Sequence, residues 1–394
     1  MRIDPDLQFI KYLKGAGGDT LKKCYQCATC SVVCPLSSDT KPFPRKEMIW
    51  AQWGLKDKLV ADPDVFLCHQ CGDCTAYCPR GAKPGDVLGA IRAYAYTYYG
   101  FPSGLAKLTT SAKNLPLIIG IPALIIAIMW GIAGANLAHG YPDFGEFFGH
   151  WDFKYLSKTV FFIDIIMLPA AALAIFSTYK GVSTMWGKMA ADLEGSTDYR
   201  PSVPQFITEF LWPSIKEIIS HNRFNECGEN RDRAKGHKPL MLAFIGLLIV
   251  TAYSFIRKDL IGIIDPGMHG PIPFWDPIKI LANVSAVALL YGIFLLWGQR
   301  SNSEAKTGAT GTFYDWFLIY VIAGVGITGL LSELLRFTGI GSLAYLMYYL
   351  HLVSVLMLFL YMPYTKFAHL VYRTFAMAFE RYRVSSFVVK KASN

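Results

Sequence analysis

Apolar residues are distributed unevenly along the 394-residue chain, and the distribution divides it into two parts. Up to about residue 114, charged residues recur every few positions, as in a water-soluble domain. The rest of the chain contains six apolar stretches, at roughly 115–135, 158–180, 239–258, 279–298, 313–333 and 343–366. Each approaches the ~20 residues that a membrane-crossing α-helix needs. The pattern therefore predicts six spans, of which the first contains Pro122 and the second Asp164.

The polar part of the chain shows helical spacing of its apolar residues. Between positions 45 and 60 these are Met48, Ile49, Trp53, Leu55 and Leu59, and residues 86–99 continue with a similar period. The predicted fold class is therefore all-α, with an N-terminal α-helical domain followed by a six-span helical bundle. We expect a soluble domain at 1–110, an extra span with its outer loop at 111–150, and a second membrane domain at 151–394.

Composition and charge add an orientation to this picture. Hydrophobic residues make up 53% of the chain and charged residues 17%, which excludes an ordinary soluble protein. The predicted inner segments 181–238, 299–312 and 367–394 contain eight, two and five Lys or Arg, whereas the outer segments 136–157, 259–278 and 334–342 contain one, none and one. Positive charge accumulates on the cytoplasmic side. Since the first twenty residues also lack a secretory signal, we expect a multi-pass inner-membrane protein with both termini and the soluble domain in the cytoplasm.

Eight of the nine cysteines form two quartets with the same spacing, Cys-x-x-Cys-x-x-Cys-x-x-x-Cys-Pro, at residues 24–35 and 68–79. This spacing is typical of two [4Fe–4S] clusters, in which the fourth cysteine of each quartet ligates the other cluster. Zinc sites usually use paired Cys-x-x-Cys motifs without the final Cys-Pro, and disulfides are rare in the cytoplasm. The predicted ligands of cluster one are Cys24, Cys27, Cys30 and Cys78, and those of cluster two are Cys68, Cys71, Cys74 and Cys34.

Two histidines in the sixth apolar stretch suggest a further kind of metal site. His351 and His369 are 18 residues apart. In a continuous α-helix this separation is five turns, about 27 Å, with both imidazoles on one side. Because ionisable residues within spans are costly and commonly functional, we expect them to ligate two b-type haems, one near each membrane face. A hydrogen-bonded packing role is the alternative for either histidine alone.

The residues around these histidines resemble a known family. The positions concerned are Leu350-His351-Leu352-Val353, Leu358-Phe359-Leu360, Pro363, Lys366 and His369, and they resemble the last span of the respiratory nitrate reductase gamma subunit and of the cytochrome b-like subunit of heterodisulfide reductase. The resemblance covers roughly 155–390 and implies a partner histidine on an earlier antiparallel helix. His237, at the start of the third span, would then share the inner haem with His369, with His221 as another candidate for that haem.

The outer haem is less completely specified by this resemblance. The family's second partner position falls on Leu247, and the third span contains no histidine. The axial partner of His351 therefore stays open among His139, His150 and His269, or the haem is five-coordinate. Quinol binds near the outer haem in the nitrate reductase family, so Asp259, Asp265 and His269 are the candidate quinone contacts. Ordinary polar loop residues are the alternative interpretation.

The helical two-cluster domain resembles the C-type iron–sulfur subunit of heterodisulfide reductase. Its fusion to a cytochrome b-like domain resembles the C-type membrane component of the quinone-interacting membrane-bound oxidoreductase (the QmoC family). That resemblance implies cytoplasmic flavin- and iron–sulfur-containing A- and B-type subunits, and electron exchange between menaquinone and adenylylsulfate reductase in dissimilatory sulfate reduction. A Gly-x-Gly-x-x-Gly pattern at Gly324, Gly326 and Gly329 lies inside the fifth span, so it favours helix packing over dinucleotide binding.

Three alternatives remain at this stage. The chain is the membrane subunit of a complex linked to a heterodisulfide or sulfite reductase, or it is a membrane redox sensor, or it is a structural anchor. No kinase-like or DNA-binding segment is recognisable, so we expect no nucleic-acid partner. Basic residues at 223–235 and near the C-terminus, including Arg233 and Arg373, favour anionic lipid or an acidic partner, or serve only as a positive-inside signal.

Overall fold

The computed structural model describes residues 4–134, 160–191, 201–221, 223–224, 228, 232–262, 264–265, 268, 272–307, 312–338 and 341–393. Over these residues the chain is helical and forms no β-strand, with a single isolated bridge between Ser38 and Lys41. The prediction of an all-α fold is confirmed.

The N-terminal part consists of eight helices: α1 Leu7–Gly15, α2 Thr29–Val32, α3 Arg45–Gln52, α4 Lys56–Ala61, α5 Pro63–Leu67, α6 Asp73–Ala76, α7 Pro84–Tyr99 and α8 Ser103–Leu108. Helix α1 begins where the Asp6 side chain accepts a hydrogen bond from the Phe9 amide, which satisfies an otherwise free donor. Helix α7 begins at Pro84, whose fixed φ suits the first helical turn. Its buried residues include Val87, Leu88 and Ile91, so α7 is the central helix of this domain.

Within the described part of the chain, six helices are long and apolar enough to cross a membrane, as the sequence predicts. They are α9 Leu115–Gly134, α10 Val160–Ala191, α13 Arg233–Phe255, α14 Pro277–Thr307, α15 Phe313–Arg336 and α16 Gly341–Tyr361. Between α10 and α13, the short helices α11 Val203–Gln205 and α12 Trp212–Ser220 flank a π-helical segment, Phe206–Leu211. A second π-helical segment, Ile256–Ile261, extends α13, and α17 His369–Ser393 ends the described chain.

Small residues bring α13 and α14 into close contact. A Cβ atom on Gly292 would lie 2.7 Å from the carbonyl oxygen of Gly236, and one on Gly246 would lie 2.2 Å from Ser285 Oγ. Glycine at such positions lets helix backbones approach closely. In α15, Gly326 contacts the leucines of α14, and a Cβ on Gly329 would lie 3.0 Å from His351 Cε1. The Gly-x-Gly-x-x-Gly pattern therefore has the packing role that the sequence favours.

The prediction that one continuous helix contains both His351 and His369 is wrong. Helix α16 ends at Tyr361, two single 3₁₀ turns follow at Met362–Tyr364 and Lys366–Ala368, and α17 begins at His369 itself. Pro363 has no amide hydrogen, and Thr365 between the turns is extended, with ψ of 180°. The backbone therefore leaves the helical path, and the spacing of about 27 Å no longer applies.

The N-terminal domain packs on the end of the bundle where α13 and α15 begin. Tyr372 of α17 lies between Phe66, Tyr96 and Tyr99, with ring centroids 6.0, 5.1 and 6.0 Å away. Residues of α10 belong to the same buried cluster, and Gly181 provides the space that Tyr372 fills. One apolar core therefore joins the two parts of the chain.

Candidate functional site

The two cysteine loops have the same backbone conformation. Gln26 and Ala28 in the first loop have φ of 60° and 70°, and Gln70 and Gly72 in the second have 51° and 95°. Left-handed conformations are uncommon for residues other than glycine, so the repeated pair indicates a loop shaped for a specific purpose. The glutamines also have matching partners: Arg45 Nε donates to Gln26 Oε1 at 3.2 Å, and Arg92 Nη2 donates to Gln70 Oε1 at 2.9 Å.

The cysteines meet in the crossed arrangement that their spacing predicts. One pocket is lined by Cys24, Cys27, Cys30 and Cys78. Burial, together with these three neighbouring thiols, raises the pKa of Cys30 to about 11. Burial raises the pKa of Cys34 to about 12, and Cys68 and Cys71 add to the increase. Thiols with such raised pKa values require a bound metal to become thiolates at neutral pH.

His237 and His369 face each other at the end of the bundle on which the N-terminal domain packs. Their ring centroids are 6.1 Å apart, and the rings are inclined by 76°. A metal bound by two opposed imidazoles at about 2.0–2.1 Å would place the ring centroids about 6 Å apart. The pair therefore fits a single metal ion with two axial histidines, although the two residues come from different helices, α13 and α17.

The hydrogen bonds of these rings define their tautomers. The Nδ1 hydrogen of His369 is donated to the Lys366 carbonyl at 2.5 Å, and that of His221 to the Ile219 carbonyl at 3.0 Å. His221 Nε2 is then an acceptor, so His237 Nδ1 donates to it at 2.8 Å. The Nε2 atoms of His237 and His369 are left to act as ligands, the usual arrangement at histidine metal sites. Burial also lowers the pKa of His369 to about 4, which keeps this ring neutral.

A cavity of about 340 Å³ connects this histidine pair with the second cysteine loop. Cys68 and Cys71 of the loop and the two histidines, His237 and His369, all line it. Its walls combine apolar side chains from the spans, such as Leu240 and Ile293, with a group of cations. These cations are Arg92, Arg223, Arg233, Arg300, Lys366 and Arg373. The shape and the apolar lining are those of a cofactor pocket with a polar end.

Known proteins resemble the cysteine-containing domain. Residues 20–82 match the family model of the 4Fe-4S dicluster domain. The chain is 39% identical over 83 residues to the C-type component of the H(2):CoB-CoM heterodisulfide,ferredoxin reductase of Methanothermobacter marburgensis, covering 21% of this chain and 45% of that protein. It is 35% identical over 92 residues to a C-type heterodisulfide reductase-like protein of Archaeoglobus profundus, covering 23% and 49%.

Residues 20–82 are therefore similar to 4Fe–4S dicluster domains. The domain is similar to the C-type component of heterodisulfide reductase, and the chain spans less than half the length of the curated relatives it matches. The matched segment ends before the first membrane span. No solved structure matches the chain. The relationship therefore covers the cluster domain, and the role of the membrane part has to be inferred from its residues.

The residues predicted for the outer haem and for the quinone site are only partly described by this structure. His351 Nδ1 lies 3.2 Å from the Val325 carbonyl and 3.3 Å from Thr328 Oγ1, contacts that suit a packing histidine and a metal-ligating histidine equally. His139, His150 and His269, its possible axial partners, lie outside the described residues. Among the quinone candidates, Asp265 is exposed, Asp259 lies in the π-helical segment of α13, and His269 is again outside the described residues. The outer haem and the quinone contacts stay predictions.

Two arginines of this site lie in an environment that the sequence does not predict. Arg233 and Arg373 belong to segments that the charge pattern places at the lipid or partner surface, yet both line the cavity and contact the second cysteine loop. Their spacing from the histidines is a usable signal. Each lies four residues, about one helical turn, from a candidate haem ligand, Arg233 before His237 and Arg373 after His369.

Proposed function

We propose that this chain is the membrane electron-transfer subunit of a quinone oxidoreductase. It passes electrons between menaquinone and cytoplasmic flavin- and iron–sulfur-containing subunits, and through them serves adenylylsulfate reductase in dissimilatory sulfate reduction. The observation that carries the proposal is the shared cavity, which brings the second cysteine loop and the His237–His369 pair together. An anchor would need neither group, and a sensor would need no continuous connection between them.

The residues fit the implied groups as follows. Cys24, Cys27, Cys30 and Cys78 would hold one [4Fe–4S] cluster, and Cys68, Cys71, Cys74 and Cys34 would hold the other. Two opposed histidines with free Nε2 atoms next to an apolar cavity fit a b-type haem at its inner position. When bound, these groups exchange single electrons, whereas a quinone carries two. A second haem at His351 belongs to the proposal on sequence grounds alone.

This chain's own side chains hold and insulate the site. The carbonyls of Lys366 and Ile219 fix the ring orientations of His369 and, through His221, of His237. The backbone amides of Gln70 and Ala82 donate hydrogen bonds to Cys68 Sγ and Cys78 Sγ, at 3.3 and 3.4 Å, and orient these two side chains. The apolar walls from α13, α14 and α15 keep water away from the space between the histidines and the cysteine loop.

Purification of the native complex from membranes tests the proposal. We expect about eight iron atoms per chain in clusters plus haem b, a reduced-haem absorption spectrum with quinol, and cubane signals by electron paramagnetic resonance. Copurifying subunits identified by mass spectrometry should include flavoproteins. A preparation that contains clusters but no haem, and is not reduced by menaquinol, would exclude the proposed membrane function while leaving the dicluster domain intact.

A second candidate is the membrane subunit of a complex linked to a heterodisulfide or sulfite reductase. The comparisons favour it specifically, because the curated relatives are named as heterodisulfide reductase subunits. Both candidates share the cofactors and the cavity, so cofactor content does not separate them. The decisive measurement is electron transfer from the quinol-reduced complex to purified adenylylsulfate reductase, with a heterodisulfide as the competing acceptor.

A further inference from the structure

We infer that Arg233 and Arg373 bind the two carboxylates of the inner haem and join them to the loop of the second cysteine quartet. The inference rests on the proposed haem at His237 and His369. It gives a role to cations that line the cavity, which metal binding by the two histidines does not explain.

Position is the first argument. Arg233 and Arg373 lie one turn away from His237 and His369, on the side of each histidine that faces the cysteine loop. Arg233 Nη1 donates to the Gln70 carbonyl at 2.7 Å, and Arg373 Nη1 donates to the Cys68 carbonyl at 3.1 Å. A b-type haem has one polar edge with two carboxylates. With its iron between the histidines, that edge fits the end of the cavity where the two guanidinium groups lie.

Charge is the second argument. Lys366 and Arg300 of the same cavity are both paired with Asp315, and Arg223 is paired with Glu217. Within the described part of the chain, no carboxylate lies within ion-pair distance of Arg233 or Arg373. Burial, reinforced by Arg223 and Arg92, lowers the pKa of Arg373 to about 10, so it remains charged at neutral pH. Enclosed cations without a carboxylate partner are costly, which favours a further anionic ligand here beside the thiolates of the second loop.

The first cysteine loop provides an internal comparison. Among the described residues, Arg45 contacts the glutamine of the first loop and Arg80 lies over its Tyr25 ring, and Arg92 is the equivalent of Arg45 in the second loop. Arg233 and Arg373 are therefore additional cations that come from the membrane part, from α13 and α17. The first loop would hold a cluster of the same type without any arginine from the membrane part. The two extra arginines at the second loop are therefore explained by a ligand that lies next to this loop and not next to the first.

His69 supplies a third donor of the same kind. Its Nδ1 accepts from Arg373 Nη2 at 3.2 Å, so the ring hydrogen is on Nε2. That atom is buried and has no hydrogen-bond partner among the described residues, and the ring lines the cavity. A carboxylate held by Arg373 would offer this hydrogen an acceptor. Two guanidiniums and one imidazole N–H form a donor set that suits two carboxylates.

The test uses the purified complex with Arg233→Gln and Arg373→Gln, and Arg381→Gln as the matched control. Arg381 is on the same helix, α17, but is paired with Glu217 and does not line the cavity. Resonance Raman spectroscopy reports the propionate bending band of the haem, and redox titration reports its midpoint potential. We expect both cavity variants to shift the band and to lower the potential, because a cation near the iron is lost, while the control changes neither.

Lysine variants separate contact from charge. Arg233→Lys and Arg373→Lys keep the cation but lose the bidentate geometry, so we expect the band to shift while the potential stays close to that of the unmodified complex. These variants also replace the glutamine forms if those fail to assemble. A propionate band unchanged in every haem-containing cavity variant would overturn the inference, as would a change confined to the paramagnetic resonance of the second cluster. Absence of haem from the unmodified complex would instead refute the proposed function.

Discussion

Gly292→Ala is expected to disturb the histidine pair from a position that contacts neither ring. The added Cβ would lie 2.7 Å from the Gly236 carbonyl oxygen and 2.9 Å from the Leu240 amide nitrogen. Both are backbone atoms, so no side-chain rotation relieves the contact, and α13 and α14 must separate by several tenths of an ångström. Overpacking of this kind costs about 1–3 kcal/mol.

The separation acts on the candidate haem site because His237 directly follows Gly236. A shift of α13 away from α14 changes the distance between His237 and His369, whose ring centroids are now 6.1 Å apart. We therefore expect a lower thermal midpoint of the purified complex and a weakened or altered haem spectrum. Both are measured on the same detergent-solubilised sample, by thermal unfolding and by reduced-minus-oxidised absorption.

The same helix contains its own control. Gly298 of α14 has no atom within 4 Å of the position of an added Cβ, so Gly298→Ala introduces no contact. Alanine favours a helix over glycine by up to about 1 kcal/mol, and the control should be neutral or slightly stabilising with an unchanged haem spectrum. If Gly292→Ala and Gly298→Ala behave alike in both measurements, the close contact between α13 and α14 does not position His237.

Three further changes follow from the site. Cys34→Ala should damage the cluster built on Cys68 and spare the one built on Cys24, as measured by iron content and paramagnetic resonance. Selective loss of the cluster built on Cys24 would contradict crossed ligation. His221→Ala should weaken haem binding by about 10–100-fold, less than the loss of a ligand does, since it only orients His237; a haem loss as complete as in His237→Ala would make it a ligand instead. Burial, with Asp64 and Asp62, raises the pKa of Glu380 to about 7 from 4.5, so the folded state binds an extra proton and stability should fall as pH rises from about 4.5 to 7. Glu380→Gln should reduce that slope in thermal unfolding measured across this range, and part of it should remain because burial also raises the pKa of Asp64 and of Asp86 to about 6. A slope that the substitution leaves unchanged would refute the assignment.

Local patterns explain what the sequence could predict. The cysteine loops are defined over eleven positions each, and ligand spacing within a loop depends only on backbone geometry, so the quartets and their crossing were accessible without a structure. The six spans can be predicted for a similar reason: a spanning segment is apolar over about 20 consecutive positions, so its hydropathy signal accumulates along the sequence. His237 stays a predicted haem ligand, which the sequence indicates because a helix start and a family pattern coincide there.

The end of the sixth span shows where such patterns fail. Residues 362–368 continue the apolar composition, so hydropathy does not register that Thr365 is extended and that α17 starts afresh at His369. Two contacts stabilise the break: Lys366 pairs with Asp315, which is 51 residues away in the sequence, and the His369 ring donates back to the Lys366 carbonyl. A one-dimensional pattern contains neither contact.

Arg233 and Arg373 connect the membrane part of the chain to the N-terminal domain. Counted along the sequence, Arg233 and Arg373 are two of many cations that orient a membrane protein. In the fold, each links the helix of one candidate haem ligand to a carbonyl of the second cysteine loop, Gln70 for α13 and Cys68 for α17. Both histidines are thereby positioned relative to one loop of the dicluster domain.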